Sequence, residues 1–216
     1  MPELEIIGGP QSNFVWATRI ALGEKRVPYR LTDVMPHTPE FDPLHPFSKL
    51  PVLRHGDFTL CESKAIATYL DRGFPGPALM PGNPKDEAVA EQWISLVNTA
   101  MDPILVRTYV YHYIRPLGAD GKPDQPAIEA MVPALWRHIG LLDQAVACTG
   151  HLAGERFTLA DINVMPMLHV LRLCPESADA IAAATHLSAY YDRHAARPSF
   201  KNTNPPPGPP RFTRPA

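Results

Sequence analysis

Short apolar runs and helical patterns alternate over the first 80 residues. The runs that predict strands cover residues 4–7, 27–34, 52–55 and 58–61. The last two runs are separated by Gly56-Asp57, a dipeptide typical of a hairpin turn. Helical patterns begin after Ser12 and at Ser63. The order strand, helix, strand, hairpin, helix therefore predicts an α/β N-terminal domain.

The pattern changes after a segment rich in proline and glycine, residues 74–84, which indicates a linker. From Asp86 onward apolar residues recur at helical intervals, which predicts an all-α C-terminal domain. Pro103 predicts a kink in the first long helix near Asp102. Later helices are predicted over residues 127–146, 162–173, 177–184 and 186–196.

These patterns divide the chain into an N-terminal domain over residues 1–80, a helical domain over residues 86–200 and a proline-rich tail over residues 201–216. Within the tail, residues 204–210 are expected to be extended or disordered because their prolines cannot continue a helix or pair in a sheet. Inside the helical domain, Thr158 and Asp161 have the spacing of a capping box. We therefore expect Asp161 to be structural and not catalytic.

Composition narrows the classes of function. The 216 residues suffice for two small domains, and a formal net charge of -2 gives no indication of a nucleic-acid or membrane partner. The 3 cysteines are far apart in the chain, so neither a disulfide framework nor a metal site is predicted. The first residues lack a basic segment followed by an apolar core, and we expect a cytoplasmic protein.

Three places in the first 80 residues carry candidate chemistry. Ser12 stands where a helix begins, where its hydroxyl could cap the helix or face a bound anion. Leu50-Pro51 precedes a strand and is either a cis peptide bond, whose preceding residue can pair with a bound peptide, or an ordinary edge-strand proline. Ser63 is a plausible N-cap, and the helix start behind Glu62-Ser63 would attract a carboxylate.

These motifs resemble those of the cytosolic glutathione S-transferase superfamily. The spacing from Ser12 to Leu22 matches serine-type members, residues 45–53 match the pattern Asn-Pro-Phe-Gly-Lys-Val-Pro-Val-Leu, and Glu62-Ser63 matches the family's Glu-Ser pair. On this resemblance the chain is identified as a serine-type, bacterial-like member. The resemblance implies a thioredoxin-like N-terminal domain, glutathione as co-substrate, a homodimer and a role in detoxification.

The resemblance also implies roles for individual residues. Ser12 would stabilise the glutathione thiolate, with Asn13 able to assist or replace it. The remaining glutathione contacts would come from His37, Lys49, Leu50, Pro51, Glu62 and Ser63. Candidates for the wall of an electrophile pocket are Trp16, Asn98, Met101, Asp102, Arg107, Tyr109 and Tyr113. At helical spacing, such an aromatic and methionine stripe more often belongs to a packed core.

The implied activity is conjugation of the glutathione thiolate to a small electrophile. Glutathione-dependent isomerase, dehalogenase or peroxidase chemistry on the same scaffold is a second hypothesis. A third is a transferase-like fold that only binds a partner. The presence of Ser12, Pro51 and Glu62-Ser63 together favours an enzyme, because a binding module has no need of all three. The sequence does not identify the electrophile.

Overall fold

The computed structural model describes residues 3–116, 118 and 121–206. Within these the chain forms two compact units: residues 3–80 with residues 196–206 make the first, and residues 81–195 make the second. The two units correspond to the predicted α/β and all-α domains. The first unit is discontinuous in sequence, because its last piece follows the whole second unit.

The first unit contains a four-stranded mixed sheet and three helices. Its elements are β1 (Leu4–Ile7), α1 (Asn13–Lys25), β2 (Arg30–Thr32), β3 (Val52–His55), β4 (Phe58–Cys61), α2 (Ser63–Gly73) and, after the second unit, α10 (Pro198–Lys201). The strand order is β2-β1-β3-β4, with β2 parallel to β1 and both β3 and β4 antiparallel to their neighbours. The predicted α/β domain is confirmed.

The core of the first unit follows from the two-residue period of its strands. Ile6 and Leu53 on one face of the sheet pack with α1 and α2 residues such as Leu70. Ile7 and Val52 belong to a smaller cluster that also contains Phe41. Since successive strand residues point to opposite faces, adjacent positions of β1 serve both clusters, and β1 is buried along its length.

The second strand is shorter than predicted. The pattern indicated residues 27–34, but only Arg30–Thr32 pair with β1. After the left-handed C-cap residue Arg26, the amide of Val27 donates to Leu22 O at 3.0 Å, so the chain is still closing α1 there. Pro28 has no N–H to donate. Pairing begins only beyond these residues.

The second unit is helical throughout its regular structure. Its helices are α3 (Pro84–Leu96), α4 (Asp102–Ile104), α5 (Tyr111–Ile114), α6 (Gln125–Val146), α7 (Leu159–Leu171), α8 (Pro175–Ala183) and α9 (Thr185–Ala195). Two π-helical turns, Val97–Met101 and Leu105–Val110, lie on either side of α4. The distortion predicted near Asp102 is therefore present, because Pro103 cannot donate the backbone bond that a regular helix needs.

The capping box predicted at the start of α7 is confirmed. Thr158 is the N-cap residue. Its backbone N donates a hydrogen bond to Asp161 Oδ2 at 2.8 Å, and its hydroxyl donates to the same oxygen at 3.1 Å. Asp161 Oδ1 accepts from Leu152 N and from the Tyr190 hydroxyl, both at 2.9 Å. The carboxyl group is fully buried and surrounded by donors, which fits a structural role.

The end of the described chain differs from the sequence expectation. The predicted tail begins at residue 201, whereas Lys201 still belongs to helix α10 and Thr203 is 5% exposed. The physical reason is that Phe200 packs against the ring of Trp16 and Thr203 accepts a hydrogen bond from it, although Trp16 is far away in sequence. The rest of the predicted tail, residues 207–216, lies outside the described residues. None of the described helices is long and apolar enough to cross a membrane.

Candidate functional site

The predicted glutathione-binding segments meet at one end of the sheet. Ile7 pairs with Val52, and Val52 pairs with Cys61. Ile7 is the last residue of β1, Val52 the first of β3 and Cys61 the last of β4. The chain running from β1 towards Ser12, the Leu50-Pro51 segment before β3 and the Glu62-Ser63 segment after β4 therefore leave the sheet side by side.

Ser12 is the N-cap residue of α1, with an extended backbone (φ -69°, ψ 126°). Its Oγ accepts a hydrogen bond from Val15 N at 3.5 Å, a long and weak capping bond. The capping bond uses a lone pair, so the hydroxyl hydrogen is still available to a second acceptor. The capping prediction is confirmed, and the geometry is also compatible with an anion beside the hydroxyl.

Asn13, the first residue of α1, carries a buried donor. The side chain is 9% exposed, and its Nδ2 has no hydrogen-bond partner among the described residues. A buried polar group costs on the order of 1–3 kcal/mol unless water, protein or a ligand satisfies it. The Asn13 amide is therefore a candidate donor at the start of α1.

Leu50 is fixed directly beside these residues. The Leu50-Pro51 peptide bond is cis, as the sequence predicted. Leu50 packs against Gly8, which has φ +145°: a Cβ added to Gly8 would lie 2.8 Å from Val15 Cγ2 and 3.2 Å from Leu50 Cδ2. The close approach of Leu50 to the start of α1 therefore requires glycine at this position.

Glu62 and Ser63 form the third part of the site, with one difference from the prediction. Glu62, not Ser63, occupies the N-cap position of α2, and it adopts a left-handed backbone with φ 70°. The Glu62 side chain makes no capping hydrogen bond to this helix start. A helix N-terminus favours a negatively charged group, and a non-glycine residue with positive φ is typical of functional sites.

The loop between β2 and β3 is braced by two polar residues. Ser48 Oγ accepts a hydrogen bond from His37 N at 2.6 Å, and both residues have positive φ. The buried His45 accepts from Phe47 N at 3.0 Å through Nδ1, and its Nε2 lies 3.7 Å from Glu62 Oε1. Ser48 was missed by sequence analysis, because a brace between loop residues leaves no periodic signal.

The side chains predicted for the glycine end of glutathione are both exposed. His37 belongs to the braced loop, and Lys49 precedes the Leu50-Pro51 segment. Glu62 is also exposed, with 68% of its side chain accessible. Charged groups in such positions can swing toward a ligand, but their contribution is screened by solvent.

The residues predicted for an electrophile pocket have varied surroundings. Trp16, in the first unit, is 1% exposed and packs against Phe200. In the second unit, Asn98 is partly exposed and its Oδ1 accepts from Asn163 Nδ2 at 2.9 Å. Met101 is 3% exposed. Of these, only Asn98 has a partly open polar side chain.

Tyr109 and Tyr113 are fully buried, the position that the core alternative predicts. Their hydroxyls donate to Glu176 Oε2 at 2.9 and 2.5 Å. Burial, reinforced by Glu176, raises the pKa of both phenols well above the usual tyrosine range, so both stay neutral. Burial also raises the pKa of the Asp102 carboxyl, although its 3.0 Å hydrogen bond from Arg107 opposes the shift.

The fold defines a protein of two units with a thioredoxin-like sheet, and the three predicted binding segments lie together at one end of that sheet. The family of glutathione S-transferase N-terminal domains matches residues 7–78, and the family of glutathione S-transferase C-terminal domains matches residues 125–193. The chain belongs to the glutathione S-transferase family of enzymes.

Individual relatives agree with this assignment. Glutathione S-transferase 3 of Zea mays is 32% identical over 212 residues, which cover 94% of each chain. The crystal structure of glutathione transferase F7 from Populus trichocarpa has a TM-score of 0.83 and 27% identity, over 93% of this chain and 97% of that one. The apo structure of glutathione S-transferase III has a TM-score of 0.83 and 30% identity, over 96% and 100%.

Proposed function

We propose that this protein transfers the glutathione thiolate to a small electrophile and that Ser12 stabilises the thiolate. The observation that carries the proposal is the convergence of Ser12, Leu50-Pro51 and Glu62-Ser63 at one end of the sheet. Each segment offers a different kind of group: a hydroxyl, a free backbone edge and a helix start. Glutathione presents a thiol, a peptide backbone and carboxylates to match them.

The peptide part of glutathione binds along the sheet end in this proposal. Leu50 lies before Val52, the first paired residue of β3, so its backbone N–H and C=O can pair with the cysteine residue of glutathione, as an added strand would. The γ-glutamyl carboxylate is held at the start of α2 by Ser63, and its ammonium by Glu62. His37 and Lys49 contact the glycine carboxylate.

The sulfur lies next to the start of α1. A free thiol has a pKa of about 8.5, and lowering it by about two units corresponds to roughly 2.7 kcal/mol, within reach of a hydrogen bond to an anion plus a helix N-terminus. Ser12 acts as a hydrogen-bond donor and needs no general base. Asn13 Nδ2 is the second donor in reach of this helix start, and its lack of a partner among the described residues supports a share in the role.

The electrophile pocket in this proposal uses the predicted residues of the second unit. Asn98, which is partly exposed, and Arg107, which is exposed, are the polar members of the set that can contact the electrophile. Met101, Tyr109 and Tyr113 of the same unit are buried and would shape the pocket from behind. The chemical class of the electrophile is left open, because fold does not determine substrate.

The finer points of identity remain predictions. These are the serine-type, bacterial-like subtype, a cytoplasmic location and a homodimer. Light scattering coupled to size-exclusion chromatography tests the homodimer, with twice the chain's 23.9 kDa as the expected mass. A mass of one chain at working concentration would contradict it.

The thiolate absorbance of glutathione in the ultraviolet, followed against pH with and without the protein, tests the proposed function. We expect a protein-dependent thiolate signal well below the pKa of the free thiol, together with conjugate formation from a general electrophile such as a chlorodinitrobenzene. Tight binding of glutathione with an unshifted thiol pKa would instead support a binding module. Absence of glutathione binding would overturn the proposal.

A further inference from the structure

A segment near the end of the described chain is fastened along α1. We define residues 197–203, which contain α10, as the C-terminal strap. Arg197 forms a two-point ion pair with Glu24, Nε to Oε1 at 2.9 Å and Nη2 to Oε2 at 2.6 Å, and Ser199 Oγ donates to the same carboxylate. Gly23 allows this approach, because a Cβ there would lie 3.1 Å from Ser199 Cβ. This contact fastens the C-terminal end of α1.

The other end of the strap holds Trp16, one turn from the start of α1. The rings of Trp16 and Phe200 have centroids 4.6 Å apart. Trp16 Nε1 donates a hydrogen bond to Thr203 Oγ1 at 3.0 Å. Trp16 is 1% exposed and Thr203 5%, so this hydrogen bond is shielded from water.

The donor and acceptor roles of the Thr203 hydroxyl are fixed by its neighbours. It donates its own hydrogen to Ser199 O at 2.6 Å, with Phe200 O a second acceptor at 3.3 Å. Its lone pairs are then directed to the indole N–H, which can only donate. The hydroxyl therefore links the backbone of Ser199 and Phe200 in the strap to the orientation of the Trp16 ring. Serine preserves this arrangement, and valine removes both hydrogen bonds at similar volume.

Trp16 in turn is bonded to the residue that would hold the thiolate. Trp16 N donates to Ser12 O at 2.9 Å, which is the first helical bond of α1, and Val15 N donates to Ser12 Oγ. A tilt of the Trp16 ring would move its backbone and hence the serine. The shift needed is small, because a hydrogen bond to sulfur depends steeply on distance and angle.

We propose that Thr203 is a positioning residue: through Trp16 it sets where the Ser12 hydroxyl and the Asn13 amide stand, and so sets the pKa of the bound glutathione thiol. This inference rests on the proposed function. The strap contacts described above end on α1, whereas Leu50 and Ser63 belong to other segments of the site. The strap should therefore affect the thiolate and leave the affinity for the rest of the glutathione molecule unchanged.

The test compares Thr203→Val with Thr203→Ser in the full-length chain. We expect Thr203→Val to raise the pKa of bound glutathione by about 0.5 to 1 unit, the size of a weakened hydrogen bond to an anion, and to lower turnover at acidic pH accordingly. Thr203→Ser should match the wild type. Affinity for S-methylglutathione, which has no thiol to titrate, should stay within about twofold in both variants.

A second variant keeps the proposal falsifiable if Thr203→Val folds poorly. Trp16→Phe retains an aromatic ring against Phe200 but removes the indole N–H. It should raise the thiol pKa as Thr203→Val does. The double variant Trp16→Phe/Thr203→Val should show no further shift, because both substitutions remove the same hydrogen bond between Trp16 and Thr203. A lower melting temperature with an unshifted pKa in Thr203→Val and Trp16→Phe would overturn the positioning role.

The outcomes for the two proposals are distinguishable. If the wild type gives no protein-dependent thiolate signal, the proposed function fails and the strap has no thiol to act on. If the wild type lowers the thiol pKa and both variants lower it equally well, the proposed function stands and only the role of Thr203 is lost. Loss of S-methylglutathione affinity in Thr203→Val, with Thr203→Ser normal, would also contradict the inference, because it would mean that the strap supports the whole site.

Discussion

Ser12 and Asn13 are adjacent residues whose side chains differ in hydrogen bonding. The Ser12 hydroxyl already accepts a capping bond from Val15 N, although a long one, whereas the Asn13 amide is buried with no partner among the described residues. The Ser12 hydroxyl stabilises the start of the helix, whereas a buried amide without a hydrogen-bond partner is unfavourable. Substitutions at the two positions should therefore differ in both stability and chemistry.

At Ser12, we predict that alanine raises the pKa of bound glutathione by at least about one unit and destabilises the protein by about 0.5 to 1 kcal/mol through the lost cap. Thiolate absorbance against pH and chemical denaturation measure the two effects. Ser12→Thr, which keeps a capping hydroxyl, is the control for stability. An unchanged thiol pKa in Ser12→Ala would remove Ser12 from the proposed role.

For Asn13→Ala we predict a smaller rise in thiol pKa than in Ser12→Ala and a free energy of unfolding within about 1 kcal/mol of the wild type, since an unpaired buried donor is removed. The same two measurements apply. A rise larger than that of Ser12→Ala would make Asn13 the main donor. Strong destabilisation would show that the amide has a structural partner in the free protein.

Helix α7 depends on its first residues more than on its interior, which contains Pro166. We predict that Asp161→Ala lowers the free energy of unfolding by roughly 3 to 5 kcal/mol, because four buried donors, two of them on Thr158, lose their acceptor. Thermal unfolding checks this, with turnover measured well below the melting temperature. Normal stability with lost turnover would contradict the structural role.

The packing of α7 against α9 contains a titratable contact. His169 Nδ1 lies 2.7 Å from the Tyr191 hydroxyl, and Arg172 lies over the Tyr191 ring. Burial, followed by the positive charge of Arg172, lowers the pKa of His169 below its usual value. The folded state thus binds this proton less well than the unfolded state, so the stabilisation from a neutral His169 is lost as pH falls below about 6.5.

We accordingly predict that His169→Gln, which keeps a hydrogen-bonding side chain without a titration, shows a smaller drop in melting temperature between pH 7.5 and pH 5.5 than the wild type does. Melting temperatures across this range, for both proteins in one buffer series, test the sign. His186→Gln is a control for histidine removal elsewhere in α9. An identical pH dependence in His169→Gln and wild type would show that His169 is not a source of acid sensitivity.

Elements with a local signal were predicted well from the sequence. The Ser12 cap, the Thr158–Asp161 box and the hairpin at Gly56 each depend on residues within a few positions of one another. Helix α10 was not predicted. It has four residues, too few to be stable alone, and exists because of side chains on α1 that the sequence separates by more than 170 positions.

At the scale of the whole molecule, Lys25 joins distant parts of the first unit. Its ammonium group is almost completely buried and lies 3.4 Å from Asp71 Oδ1, 3.1 Å from Asp71 O and 3.3 Å from Pro77 O. Asp71 also accepts hydrogen bonds from Leu79 N and Met80 N. One ion pair thus fixes the end of α1, the end of α2 and the chain that leads to the second unit.

Removal of this cation should destabilise the first unit. We predict that Lys25→Met costs roughly 3 to 5 kcal/mol, because Asp71 stays behind with a poorly compensated charge. The double variant Lys25→Met/Asp71→Asn should recover part of the loss. Chemical denaturation followed by tryptophan fluorescence, in a background where Trp93 and Trp136 are replaced by phenylalanine so that only Trp16 reports, measures both. Additive losses in the double variant would mean that the two side chains do not act as a pair.

Membership of the two units was only partly predictable. The change from strand and helix patterns to long helices placed the boundary near residue 80, where the structure also divides. Polar and proline-rich residues near the end indicated a tail, because pattern analysis cannot see that Phe200 and Thr203 fit against Trp16. The return of the chain to the first unit depends on tertiary contacts alone.

This discontinuity has a consequence for how the protein is made. A ribosome synthesises residues 196–206 last among the described residues, so Trp16 and Glu24 emerge long before Thr203 and Arg197 exist to contact them. The first unit can begin to fold during translation, but it completes its structure only after residues 196–206 have been synthesised. An expression fragment limited to residues 1–80 would leave Trp16 without its partner, whereas adding residues 196–206 through a short linker would restore it.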